Sequence, residues 1–152
     1  MLKIIHDTEP VDHITELKVK CLPHCKYPPS SGHSTDAGLD IRYNGEETVH
    51  LSKDESTTLP SGISVAIPRG WVGLIQNRSG YLVAGEFTVD GTVDSGYRGE
   101  VKIVVHARKP TKLEPGQKLA QMVVVPHLTK YTFVDNLPKG ERGGDGFGST
   151  GR

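Results

Sequence analysis

Glycine and proline cut this chain into short runs, and within those runs apolar residues alternate with polar ones. Leu17, Val19 and Cys21 are separated by Lys18 and Lys20, which predicts a half-buried strand. Ile63, Val65 and Ile67 alternate with Ser64 and Ala66. Val101, Ile103 and Val105 share one face of a run whose other face carries Lys102, Val104 and His106. Further short strands are expected around Val49 and Leu51, over residues 71–75, and at Phe87 and Val89. Residues 119–125 form a near-continuous apolar run with one amide, Gln121, and the alternation returns at Tyr131 and Phe133. No window shows a capped apolar period of 3.6 residues. Strands recurring at roughly 8–12 residue intervals between glycine and proline turns predict an all-β sandwich or barrel.

The 152 residues suffice for one domain with its own core. Lysine plus arginine number 18 and so do aspartate plus glutamate, so no overall field draws the chain to nucleic acid or to an anionic membrane. The hydrophobic share of 35% is low for a lone monomer and fits a β fold that completes its core by oligomerising. The N-terminal ten residues lack the apolar stretch of a signal peptide, and no run approaches the ~20 apolar residues that span a bilayer. A cytoplasmic protein, bacterial or acting in the cytoplasm of a phage or virus host, is expected. Cys21 and Cys25, with His24 and His33 nearby, match no common zinc spacing and read as two ordinary thiols.

Two stretches carry chemistry. Residues 91–106 open on a glycine turn, present one carboxylate, Asp94, then one ring, Tyr97, and run into a strand. A carboxylate and a ring at the mouth of a strand can build a site or make a plain hairpin. The tail is different in kind. Five of the nine residues from Gly143 to Gly151 are glycine, too many to hold a strand. It is either a loose terminus or a wrap for an anionic ligand with a flat ring, since it offers an arginine, a ring, two hydroxyls and unhindered N–H groups.

Five segments, in order, resemble the five motifs of the trimeric dUTPase family. They are Asp36-Ala-Gly-Leu-Asp40-Ile, Arg78-Ser-Gly80, Gly91-Thr-Val-Asp94-Ser-Gly-Tyr97-Arg-Gly99, Gly116-Gln-Lys-Leu-Ala-Gln121-Met, and Arg142-Gly-Gly-Asp-Gly-Phe147-Gly-Ser149-Thr150-Gly151. The resemblance implies a jelly-roll-like distorted β-barrel over residues 1–135 and a flexible glycine-rich arm over 136–152. It implies a homotrimer with active sites at subunit interfaces; the balanced charge and the lack of an apolar span add the expectation of no nucleic-acid or membrane partner. The implied reaction is hydrolysis of dUTP to dUMP and pyrophosphate with Mg²⁺, which lowers dUTP and supplies dUMP for thymidylate synthesis.

The resemblance also implies roles. Asp94 activates the water that attacks the α-phosphorus. Tyr97 lies against the deoxyribose and leaves no room for a 2′-hydroxyl. Gly91, Thr92, Val93 and Lys102 belong to the substrate pocket. Arg78, Ser79, Gly80 and Gln121 hold phosphates. Arg142, with Gly148, Ser149 and Thr150, grips the γ-phosphate end, and Phe147 stacks on uracil. Asp40 holds Mg²⁺ through water or braces the catalytic loop.

The chain departs from the family pattern in places. The interval from Arg78 to Asp94 is short, so a trimmed uracil hairpin is expected between residues 83 and 91. Asn77 stands where proline often precedes the arginine, Gly96 where an acid is frequent, and Asp145 where glycine is usual. A dCTP deaminase of the same superfamily, or a binding module whose tail closes on nucleotide to change a regulatory partner's surface, are the alternatives.

Overall fold

A computed structural model describes residues 16–141 together with 143 and 144. The described residues fall into two units, 16–128 and 129–144.

Residues 16–128 are almost wholly β. The strands are β1 (Lys18–Cys21), β2 (Leu39–Arg42), β3 (Val49–Leu51), β4 (Ser56–Pro60), β5 (Ile63–Ala66) and β6 (Trp71–Asn77); then come β7 (Phe87–Val93), β8 (Lys102–Ala107), β9 (Thr111–Leu113) and β10 (Lys118–Pro126). One six-stranded sheet runs β2-β10-β6-β7-β8-β4, and two-stranded sheets pair β1 with β5 and β3 with β9. Every pairing is antiparallel. Neighbours so far apart in sequence require crossovers between sheets, and the fold is the expected all-β, jelly-roll-like one.

The alternation in β8 is realised: Ile103, Val105 and Ala107 are buried, while Lys102 and His106 face out. Ile41, Ile75, Phe87, Leu119 and Met122 join them in one core. β1 forms where the alternation predicts it, but all four of its residues are exposed, not half-buried. Its only ladder is with β5. β4 and β9 carry no clear alternation of their own. They form because β8 and β3 present free edges to them, and Leu59 and Leu113 bury against the core.

One short helix was not expected. α1 (Ser79–Ala84) follows Arg78, whose extended backbone starts it, and Gly85 ends it in the left-handed region at φ 61°. Six residues are too few to display a 3.6-residue period, so its cue was the glycine stop alone.

In the second unit, residues 129–141 contain no strand, and Tyr131 and Phe133 are exposed. Alternation makes a strand only where another strand offers its backbone, and no ladder includes these residues. The expected strand there is not formed.

Candidate active site

β7 changes partners along its length. Phe87, Thr88 and Val89 pair with Ala107, His106 and Val105 of β8. Asp90 to Val93 pair instead with Gln76 to Gly73 of β6. β8 meanwhile stays with β4 as far as Lys102. Beyond Val89 the two strands therefore part, and the parting opens a cavity of about 250 Å³. Its walls are Asp90, Gly91, Thr92, Val93 and Asp94 on one side and Glu100, Val101, Lys102 and Val104 on the other, with Ile75 behind and Tyr97 at the turn.

The turn that closes the cavity is built by its sequence. The Tyr97 N–H donates to the Asp94 carbonyl (3.1 Å), so the acid and the ring share one turn. The Tyr97 hydroxyl donates to the Glu100 carbonyl at 2.9 Å. Gly99 is required for that: a Cβ there would lie 2.5 Å from the Tyr97 hydroxyl. Asp94 is exposed, and its carboxylate has no hydrogen-bond partner among the described residues. Lys102 places its ammonium on the Glu100 carboxylate.

No uracil hairpin lies between residues 83 and 91. That interval holds the end of α1, Gly85 and the first half of β7. The cavity is formed further on, at residues 90–104. Asn77 explains how so short a connection holds: its amide nitrogen donates to the Phe87 carbonyl (2.8 Å) and its oxygen accepts from the Val89 N–H. The side chain thus continues the β6–β7 pairing after the backbone has left it.

A second cluster forms where β2, β10 and β6 run side by side. Asp40, Gln121 and Gln76 stand in one cross-strand row. Arg78 donates to one Asp40 oxygen at 3.0 Å, and Lys118 reaches the other at 2.9 Å. Burial alone would raise the Asp40 carboxyl, but Lys118 and Arg78 together hold it below the usual carboxylate range. Gln121 Nε2 donates to the Asn77 carbonyl at 3.1 Å, just before Arg78. Gly38 makes room for that amide, since a Cβ there would lie 2.5 Å from its oxygen. Ser79 and Gly80 follow as the first turn of α1, where helical N–H groups have no partner within the helix.

Gly91, Thr92, Val93, Asp94, Tyr97 and Lys102 are thus gathered on one cavity. Asp40, Arg78 and Gln121 are gathered elsewhere, and none of them lines it. Arg142, Phe147, Gly148, Ser149 and Thr150, and also Asp145, lie outside the described residues. Glu100 and Lys118 were not singled out from the sequence. Their only signal was position, one residue past Gly99 and three before Gln121.

A family model described as dUTPase matches residues 26–151. The chain belongs to the dUTPase family. The deoxyuridine 5'-triphosphate nucleotidohydrolase of Clostridium acetobutylicum is 38% identical over 144 residues, covering 91% of this chain and 98% of that protein. The one from Anaeromyxobacter is 40% identical over 122 residues, covering 76% and 82%. Among solved structures, a mutant dUTPase of Staphylococcus bacteriophage 80alpha with dUpNHpp superposes with a TM-score of 0.80 at 29% identity, covering 91% of this chain and all of that one. A mutant dUTPase of phage phi11 of S. aureus, described with a structural Mg(II) ion, has a TM-score of 0.70 at 28% identity and covers 80% and 97%.

A dUTPase-family metal has to be judged against this donor set. Among the described residues no three carboxylate, imidazole or thiolate groups cluster as a metal site. Both Asp40 oxygens already face cations. Such residues suit a hydrated ion that rides on phosphates, not one caged by protein.

Proposed function

We propose that the protein hydrolyses dUTP to dUMP and pyrophosphate, with Asp94 as general base. The observation that carries this is the parted β7–β8 cavity, which holds on one turn a ring and a carboxylate without a partner among the described residues. A parted ladder turns backbone N–H and C=O groups toward the cavity, where the edge of a base can satisfy them. Uracil and cytosine offer different donors and acceptors, and a mismatched buried edge is costly. Tyr97 lies against the sugar and rejects a 2′-hydroxyl by clash.

Asp94 takes a proton from the water attacking the α-phosphorus, the Pα–O bond to the β-phosphate breaks, and pyrophosphate leaves. General-base help of this kind is worth ~10²–10⁴-fold. The rest is positioning and charge. Arg78, Ser79, Gly80 and Gln121 hold the phosphate chain. Arg142 pairs with the γ-phosphate as a fork, Gly148, Ser149 and Thr150 add donors, and Phe147 covers the base. Bound on the triphosphate, Mg²⁺ would supply charge neutralisation without a protein cage; Asp40 serves by bracing Arg78.

Asp94 and the phosphate-holding residues occupy different places on one protomer, which supports a homotrimer whose sites lie between subunits. Residues 136–152 then act as a closing arm over a domain ending at 135. In the cytoplasm such activity lowers dUTP and supplies dUMP.

The test is incubation with Mg²⁺ and each of dUTP, dCTP, dTTP and UTP, following pyrophosphate, ammonia and the monophosphate. Pyrophosphate and dUMP from dUTP alone are expected. Ammonia from dCTP would replace this reading with a deaminase, and nucleotide binding without turnover would leave a binding module.

A further inference from the structure

Glu100 has an environment that the reaction itself does not account for. It lines the cavity of Asp94 and Tyr97, yet its side chain is only 14% exposed. One carboxylate oxygen accepts from the Gly62 N–H and from His24 Nε2, both at 2.8 Å. The other receives the Lys102 ammonium. Burial alone would raise this carboxyl, but Lys102, His24 and the Gly62 N–H hold it below the usual range. A carboxylate so fully engaged is poorly placed to move protons.

What it can do is hold. The neighbouring Val101 N–H donates to the Ile63 carbonyl at 2.8 Å, so two adjacent residues at the end of the turn are tied to two adjacent residues at the start of β5. That anchor is itself stiff. The Leu22 N–H donates to the Gly62 carbonyl (2.8 Å), which fixes the loop bearing His24. Buried Asn44 accepts from the Lys26 and Tyr27 N–H groups and donates to the Ser61 carbonyl at 2.7 Å. Gly62 sits at φ +71°, and a Cβ there would lie 3.0 Å from the Cys25 Cα, so no other residue suits the spot.

The other end of the turn continues from β7. The Tyr97 ring hangs between, tied by its hydroxyl to the Glu100 carbonyl. We infer that Glu100 is a positioning residue for sugar discrimination: by fastening the turn to Gly62, His24 and Lys102 it holds the Tyr97 ring where a 2′-hydroxyl would collide with it. Without that fastening the ring recedes and a ribonucleotide fits. This rests on the proposed dUTP hydrolysis and on the role given there to Tyr97.

The test compares kcat/KM for dUTP and for UTP in the full-length protein and in Glu100→Ala, Glu100→Gln, His24→Ala and Tyr97→Ala. Glu100→Ala is expected to lower the dUTP-over-UTP ratio by about tenfold or more, because the exclusion depends on close positioning. Glu100→Gln keeps an oxygen for the Gly62 N–H and should restore most of the ratio. His24→Ala removes one exposed tether and should shift the ratio the same way by less, which keeps the inference testable if Glu100→Ala does not fold. A merely structural role would lower both substrates' rates together. A folded Glu100→Ala with unchanged ratio, or His24→Ala and Glu100→Gln that both leave it unchanged when Glu100→Ala does not fold, would overturn the inference. If Tyr97→Ala also keeps the ratio, it is the sugar-exclusion reading of Tyr97 that has failed. If the unaltered protein does not turn over dUTP, the proposed function has failed.

Discussion

Asp94 stands out at the scale of single residues because, of the two cavity acids without a partner among the described residues, Asp90 and Asp94, it is the one on the turn that carries Tyr97, while Glu100 and Asp40 are each held by cations. A carboxylate left unpaired at a mouth is available to a water. Asp94→Asn should keep nucleotide affinity, read by calorimetry, and lose at least about 10²-fold in kcat; a variant with a near-normal rate would remove the base from the mechanism. Asp40 makes the opposite case. Its folded pKa is lowered, so its stabilising effect is complete above the ordinary carboxylate pKa and is lost as pH falls through the folded value. The melting-temperature gap between the unaltered protein and Asp40→Asn should therefore narrow below about pH 4. Asp94 and Tyr97 were legible in the sequence, since both sit on one local turn. Glu100 was not, because its partners Gly62 and His24 lie 38 and 76 residues away and only the fold assembles them.

Elements that could be read in advance were those whose pattern is their own. β8 shows its buried face in sequence and is where the pattern put it, while the apolar run at residues 119–125 falls within β10 without its alternation having marked a face. β4 has a single buried apolar residue, Leu59, and owes its existence to pairing with β8. β1 was legible as a strand but not in its exposure, because burial depends on what covers a face. The short β6–α1–β7 connection was legible only as missing length. Its solution, one asparagine standing in for a rung of the ladder, has no periodic signature. Asn77→Ala leaves the Phe87 carbonyl and the Val89 N–H without that partner, and should cost about 1–3 kcal/mol in denaturant unfolding. An unchanged midpoint would mean that water replaces the amide without loss.

The whole molecule divides its chemistry. The cavity with Asp94 and Tyr97 and the cluster with Arg78 and Gln121 are each well formed, and neither contains the other's residues. This separation is invisible in a linear motif order. If the sites lie between subunits, Asp94→Asn and Arg78→Ala, each inactive alone, should regain activity when their subunits are exchanged. Random mixing leaves roughly a quarter of interface sites with both contributions intact. No recovery after verified exchange would place the whole site within one protomer. The same division has a consequence for scarcity. If the sites do lie between subunits, a protomer alone has no rate of its own, turnover per molecule becomes a function of concentration, and dilution alone silences it.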